Sequence, residues 1–238
     1  MTSAAVGFDF DHTLGVDNKL ERTVALEKVE RLASARGVPF DVTAATAEFD
    51  AAFARIRAGE IPLETALAGM FSQLAGEGPE NELEIGRFRD DATARAPEFV
   101  KPLPGLHEML AGLDALGVRY AILSNGWSPL QEEKARIVGF AAPVFVSERI
   151  GAWKPGAASF LYLTRAFDLP ADMIWYVGDD PRVDCAGAAA AGLRSVWCDW
   201  GSATYPSDAA PPDGVIRALE ELAPLLQGRL GGAANPRA

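Results

Sequence analysis

Val6-Gly7-Phe8-Asp9-Phe10-Asp11-His12-Thr13-Leu14 begins as a short apolar run near the N-terminus and then sets two carboxylates two residues apart. In an extended chain, residues i and i+2 point to the same side. Asp9 and Asp11 are therefore expected to converge, while Phe8 and Phe10 turn the other way into a core. Two like charges held that close repel, so one protonates or a cation sits between them. The stretch reads as a first strand with an acidic site at its carboxyl end.

After Leu14 the character changes, and from about residue 15 to 103 only helical patterns are convincing. Ala25, Val29, Leu32 and Ala33 share one face, and Phe49, Phe53 and Ile56 share another. Leu63, Leu67, Met70, Phe71 and Leu74 form the clearest stripe, with Pro62 suited to the first turn. Ile85, Phe88 and Ala92 predict a fourth helix after the break at Gly76-Glu77-Gly78-Pro79.

Beyond Pro102 and Pro104 the pattern alternates. A helix near 105–116, closed by Gly117, leads to a buried strand over 118–123. Ser128-Pro129-Leu130-Gln131 has capping-box spacing with Pro at the first helical position. A strand over Pro143 to Ser147, a helix over 156–167 and a strand over Met173 to Val177 follow. An Ala-rich helix over 184–191, a strand over Ser195 to Cys198 and a last helix near 214–226 complete the pattern. Strands alternating with helices predict an α/β fold with a mostly parallel sheet covered on both faces. The boundaries are a core over 1–14 and 104–228, an all-helical insert over 15–103, and a disordered tail over 229–238.

Bulk properties narrow the function. A chain of 238 residues can bury a full core. Its net charge of −11 disfavours nucleic acid, whose phosphates need clustered Lys and Arg. The same charge repels a phosphorylated metabolite unless the site supplies cations. No stretch reaches the length of a membrane span and no secretory signal is evident, so a cytoplasmic protein is expected. Cys185 and Cys198 lack metal-type spacing and only His12 and His107 are present, which argues against zinc. Cys185 reads as a small buried hydrophobe, and Trp127 and Trp153 as core. His107, Trp197 and Trp200 carry no functional signal, and His12 suits either substrate contact or loop packing.

In open α/β sheets, ligands gather at the carboxyl ends of strands. Those ends carry Asp9 and Asp11; Ser124-Asn125-Gly126; Lys154 just before Pro155; and Gly178-Asp179-Asp180, with Asp184 five residues after Asp179. Taken singly, Ser124 suits a turn, Lys154 a solvated surface charge, and Asp179 and Asp184 a helix cap. Taken together they supply acids, a hydroxyl and an ammonium. Magnesium prefers hard oxygen ligands and usually takes one or two carboxylates plus substrate phosphate. A phosphoryl group entering an acid cluster needs that ion, a lysine and hydroxyl or backbone donors. One carboxylate can act as nucleophile and a second can move the proton.

Asp9-Phe-Asp11-His-Thr13, Ser124-Asn125, Lys154-Pro155 and Gly178-Asp179-Asp180…Asp184, in this order, resemble the four motifs of the haloacid dehalogenase superfamily. The resemblance covers nearly the whole chain. It implies a Rossmann-like, doubly wound parallel sheet, and the helical insert is similar to that family's small (C1-type) cap. By the resemblance, Asp9 is the nucleophile and a magnesium ligand. Asp11 is the acid/base, with its backbone carbonyl on the metal. Thr13 braces the loop and is counted with the substrate-binding set. Ser124, Asn125 and Lys154 hold the phosphoryl group, with Ser124 and Lys154 also in the catalytic set. Asp179 binds magnesium, with Asp184 as a further ligand or its partner, and Asp180 stands at a variable position.

The expected activity is that of a Mg2+-dependent phosphatase acting on a small phosphorylated metabolite through an aspartyl phosphate, in a monomer or homodimer. A phosphomutase of the same fold, a 2-haloacid dehalogenase and a non-catalytic binding protein are the alternatives. The dehalogenating branch of the family carries an aromatic residue where this chain has Asp11, and the intact acid set argues against a non-catalytic chain. Arg55, Arg57, Glu60 and Arg95 are the polar candidates by which the insert would contact substrate.

Overall fold

The computed structural model describes residues 4–57, 59–75, 78–201 and 204–231. At its centre is β1 (Ala5–Phe8), buried throughout, with one parallel neighbour on each side. One neighbour is β4 (Arg119–Ser124), which pairs in turn with β5 (Val144–Val146). The other is β6 (Ile174–Gly178), followed outward by β7 (Arg194–Cys198) and β8 (Gly214–Ile216). The order β5-β4-β1-β6-β7-β8 reverses direction beside β1, which opens a crevice at the carboxyl ends of β1, β4 and β6.

Side-chain alternation splits β1 between two cores. Val6 and Phe8 face the larger one. There they meet α5 (Leu106–Ala115) through Leu106 and Met109, α6 (Leu130–Ile137) through Leu130, and α10 (Leu222–Gly231) through Leu222 and Leu226. Ala5 faces the smaller core, built from Phe160, Leu163 and Phe167 of α8 (Ala157–Phe167) and Ala188 of α9 (Gly187–Ala190). A one-turn helix, α7 (Ser147–Ile150), follows β5. Helices cover both faces, as a parallel sheet requires.

Between Leu14 and Leu103 lie α1 (Leu20–Arg36), α2 (Val42–Arg57), α3 (Leu63–Ala75) and α4 (Pro79–Phe99). Their apolar stripes join the larger core: Phe49 stacks on Phe53 at 3.9 Å, and Phe88 lies 6.3 Å from Phe71 and 6.0 Å from Trp127. This segment is not wholly helical. β2 (Gly15–Val16) pairs antiparallel with β3 (Lys101–Pro102), tying together the points where the chain leaves and re-enters the sheet region. Strands of two residues are too short to show a period.

Three further expectations are corrected. The region 214–226 is not one helix: β8 comes first, and Ala218 is extended before α10 begins at Leu222. Ile216, Leu219, Leu222 and Leu226 are all buried, so their spacing mimics a helical stripe although strand and helix share it. Ser128 does not form a capping box. Pro129 is at the N-cap of α6, Ser128 Oγ bonds Glu132 Oε1 at 2.7 Å, and Gln131 turns to Asp11. The tail expected from 229 is helical through Gly231, and 232–238 lie outside the described residues.

Candidate active site

A cavity of about 290 Å³ opens at the carboxyl ends of β1, β4 and β6, lined by Asp9, Asp11, His12, Ala54, Ser124, Asn125, Lys154, Asp179, Asp180, Val183 and Asp184. Among the described lining residues are five aspartates and one lysine. Such crowding is relieved by a cation between the acids or by protonation of some of them.

Lys154 is that cation here. It is 2% exposed, and its Nζ lies 2.7 Å from both Asp9 Oδ1 and Asp184 Oδ1, above the ring of Tyr176 at 5.2 Å. Burial alone would lower its pKa, but the charges of Asp184 and Asp9 hold it well above the usual lysine range. The loop bearing Lys154 is clamped by Asn125, whose Oδ1 accepts from Lys154 N–H and from Ser147 Oγ, both at 2.8 Å, and whose Nδ2 donates to Lys154 O at 2.6 Å. Asn125 lines the cavity, and its amide also holds the backbone of that lysine. Ser124 is 2% exposed at the last position of β4.

Asp9 directly follows β1, and its N–H donates to Val177 O at 2.9 Å, which fixes its height above the sheet. One carboxylate oxygen each from Asp9, Asp179 and Asp184 lie within 4.8 Å of one another. The donor set is all hard oxygen, which suits magnesium and not zinc. Burial, reinforced by the charge of Asp9, pushes Asp179 up to about 7. Burial also pushes Asp184 up to about 7, with Lys154 opposing and Asp9 adding to the rise. Gly178 makes room for this cluster, since a Cβ there would stand 2.3 Å from Asp184 Oδ2. Asp180, exposed at the rim, caps the turn over Pro181–Ala186, accepting from Arg182 and Val183 N–H.

The side chains of Asp9 and Asp11 both line the cavity but meet different lysines. β1 ends at Phe8 and His12 adopts φ 62°, so the alternation of an extended chain stops governing direction before Asp11. Asp11 turns to α6, where Lys134 Nζ meets its Oδ1 at 3.0 Å and Gln131 Nε2 its Oδ2 at 3.2 Å. Thr13 is not among the residues lining the cavity. It is fully buried and donates to Asp179 Oδ1 at 3.3 Å, so it braces a candidate metal ligand.

Other contributors escaped the sequence. Trp197 Nε1 donates to Asp179 O at 3.0 Å and Trp200 Nε1 to His12 O at 2.6 Å. Lys134, which the motifs did not single out, is completely buried against Asp11, Asp17 and Glu21. With three acids for one ammonium, burial and the adjacent Asp17 hold Glu21 at about 8 despite Lys134. Burial would raise Asp17 too, but its hydrogen bond with Glu21 and the charge of Lys134 take it well below the usual carboxylate range. Trp127 is core, as expected. Trp153 is only half-buried, packed so closely under Gly59 (φ 72°) that a Cβ there would lie 2.8 Å from its own. Arg55 pairs with Glu60 on the surface and Arg95 with Glu27, and none of the three lines the cavity. The side chain of Arg57 lies outside the described residues.

The family model of the haloacid dehalogenase-like hydrolases matches residues 4–192, spanning β1 and every strand end that supplies the cavity. The chain belongs to that family. This hydrolase is 32% identical over 140 residues to a phosphoserine phosphatase of Thermus thermophilus, covering 58% of the chain and 55% of the relative. It is 30% identical over 212 residues to a ribulose-1,5-bisphosphate 5-phosphatase of Halopiger xanaduensis, covering 83% and 85%. The chain thus spans about half the length of the first of these curated relatives and most of the second. Its fold matches that of the HAD-hydrolase YfnB from Bacillus subtilis, solved bound to magnesium, with a TM-score of 0.66 at 21% identity over 95% of this chain and 100% of that one. Among the described residues of the hydrolase, no helix is long and apolar enough to cross a membrane.

The raised acids set a pH signature. Asp179 and Asp184 hold protons up to about 7 in the fold but release them near 3.8 when unfolded. Between those values the folded state binds more protons, so stability of the metal-free protein falls as pH rises from about 4 through 7. A divalent ion held at these carboxylates would remove the loss. Thermal melts with excess Mg2+ and with EDTA should differ by several degrees at pH 8 and converge near pH 5. Equal spacing of the two curves across pH would contradict the placement.

Proposed function

We propose that this hydrolase is a Mg2+-dependent phosphatase of a small phosphorylated metabolite, working through a phosphoryl group carried on Asp9. The observation that supports it best is the meeting of Asp9, Lys154, Asp179 and Asp184 in one cavity. A magnesium ion held by Asp9, Asp179, Asp184 and the backbone carbonyl of Asp11 would offset the charge of the incoming phosphoryl oxygens.

The chain's own groups perform the rest. Asp9 attacks phosphorus, forming an O–P bond as the ester P–O bond breaks, and Asp11 gives its proton to the departing oxygen. Asp11 then takes a proton from the water that attacks the same phosphorus, and phosphate leaves with Asp9 restored. Lys154 fixes Asp9 and neutralises the cluster, Asn125 fixes Lys154, and Ser124 donates to a phosphoryl oxygen. We assign the helical segment over 15–103 the role of cap, covering the cavity from the side of Ala54 and excluding water. Asp11 weighs against dehalogenation, which has no leaving oxygen to protonate.

The purified protein should release phosphate from 4-nitrophenyl phosphate with Mg2+, lose that activity with EDTA and regain it on adding Mg2+. Release unaffected by EDTA, or none from this ester and a metabolite panel, would overturn the reading. Accumulation of an isomeric phosphate with little free phosphate would mark a phosphomutase.

A further inference from the structure

Lys134 is buried completely, and its Nζ meets three carboxylates: Asp11 Oδ1 at 3.0 Å, Asp17 Oδ2 at 2.8 Å and Glu21 Oε1 at 3.2 Å. One turn earlier on α6, Gln131, 2% exposed, donates Nε2 to Asp11 Oδ2 at 3.2 Å. Both oxygens of Asp11 are therefore held from one helix. β1 ends at Phe8 and the chain turns through a left-handed His12, so strand alternation alone does not fix the direction of this side chain. The Asp11 side chain is 30% exposed, so a carboxylate without these donors would turn to water.

We propose that Lys134 is a positioning residue: with Gln131 it sets the direction in which Asp11 presents its carboxyl to the cavity. Asp17 and Glu21, at the entry to α1, hold Lys134 in place from the opposite side. A long, flexible ammonium becomes a fixed point when three acids share it. The inference rests on Asp11 as the group that exchanges a proton with the leaving oxygen. A merely structural lysine would neutralise buried acids without regard to which substrate is cleaved.

The leaving group separates these roles. Phenyl phosphate needs its oxygen protonated as it departs, whereas dinitrophenyl phosphate hardly does. In Lys134→Met, kcat/KM with Mg2+ should fall about 10²-fold on the phenyl ester and only about threefold on the dinitrophenyl ester. Gln131→Leu removes no charge and so keeps the test open if Lys134→Met does not fold; it should show the same asymmetry more weakly. Equal losses on the two esters would overturn the proposal. Crystal structures should show the Asp11 carboxyl displaced from its wild-type direction, more in Lys134→Met than in Gln131→Leu, and an Asp11 unmoved in both would also overturn it. If the wild type cleaves neither ester, the phosphatase reading falls while these crystal structures still decide the role of Lys134.

Discussion

Asp9→Asn is expected to lower kcat by at least about 10⁴-fold while leaving the fold intact, because the carboxamide is isosteric but far less nucleophilic. Three features of Asp9 put the loss in the chemical step. Its N–H is fixed to Val177 O, its Oδ1 faces Lys154 at 2.7 Å, and it is 9% exposed within the cavity. The variant also removes one negative charge from a crowded set, so its melting temperature in EDTA should equal or exceed that of the wild type. Single-turnover phosphate release beside a thermal melt checks both halves. Substantial retained turnover would leave Asp9 without a catalytic role.

Lys154→Met should damage stability and activity together. In the metal-free protein it leaves Asp9 and the almost fully buried Asp184 facing each other with their shared cation gone. Breaking a buried pair from one side costs about 3–5 kcal/mol. The fold answers partly by protonating the acids, so urea denaturation should show a larger deficit at pH 8 than at pH 5. Magnesium should restore part of the stability, since a second cation then occupies the cluster, but not the turnover, because the group that fixes Asp9 is missing. A variant as stable as the wild type in EDTA at pH 8 would mean that Lys154 does not stabilise the acid cluster.

These two residues were legible in the sequence, and the reason is local. Asp9 closes a four-residue buried strand and Lys154 stands before a proline at the start of the helix over 157–167, so each motif lies where ligands gather in such a sheet. Ser124 and Asp179 sit at strand ends for the same reason. The mostly parallel sheet followed from alternation of strand and helix, whereas the strand order did not. What stayed hidden depends on distant partners. A lysine on a polar helix reads as solvated, and only the fold brings Lys134 to Asp17 and Glu21, more than a hundred residues earlier. The indole donors of Trp197 and Trp200 reach backbone carbonyls in other loops, which no spacing reveals. The hold of α6 on Asp11 was hidden for the same reason, since Gln131 and Lys134 lie more than a hundred residues from it.

The most direct test is to quench the protein with acid during turnover of an aryl phosphate with Mg2+ and map any phosphoryl adduct by peptide mass spectrometry, using Asp11→Asn to slow the hydrolysis of the intermediate. An adduct on Asp9, accumulating in Asp11→Asn and absent from Asp9→Asn, is the predicted result. Phosphate release from an enzyme that never carries an adduct on Asp9, or carries it on another residue, would contradict the account.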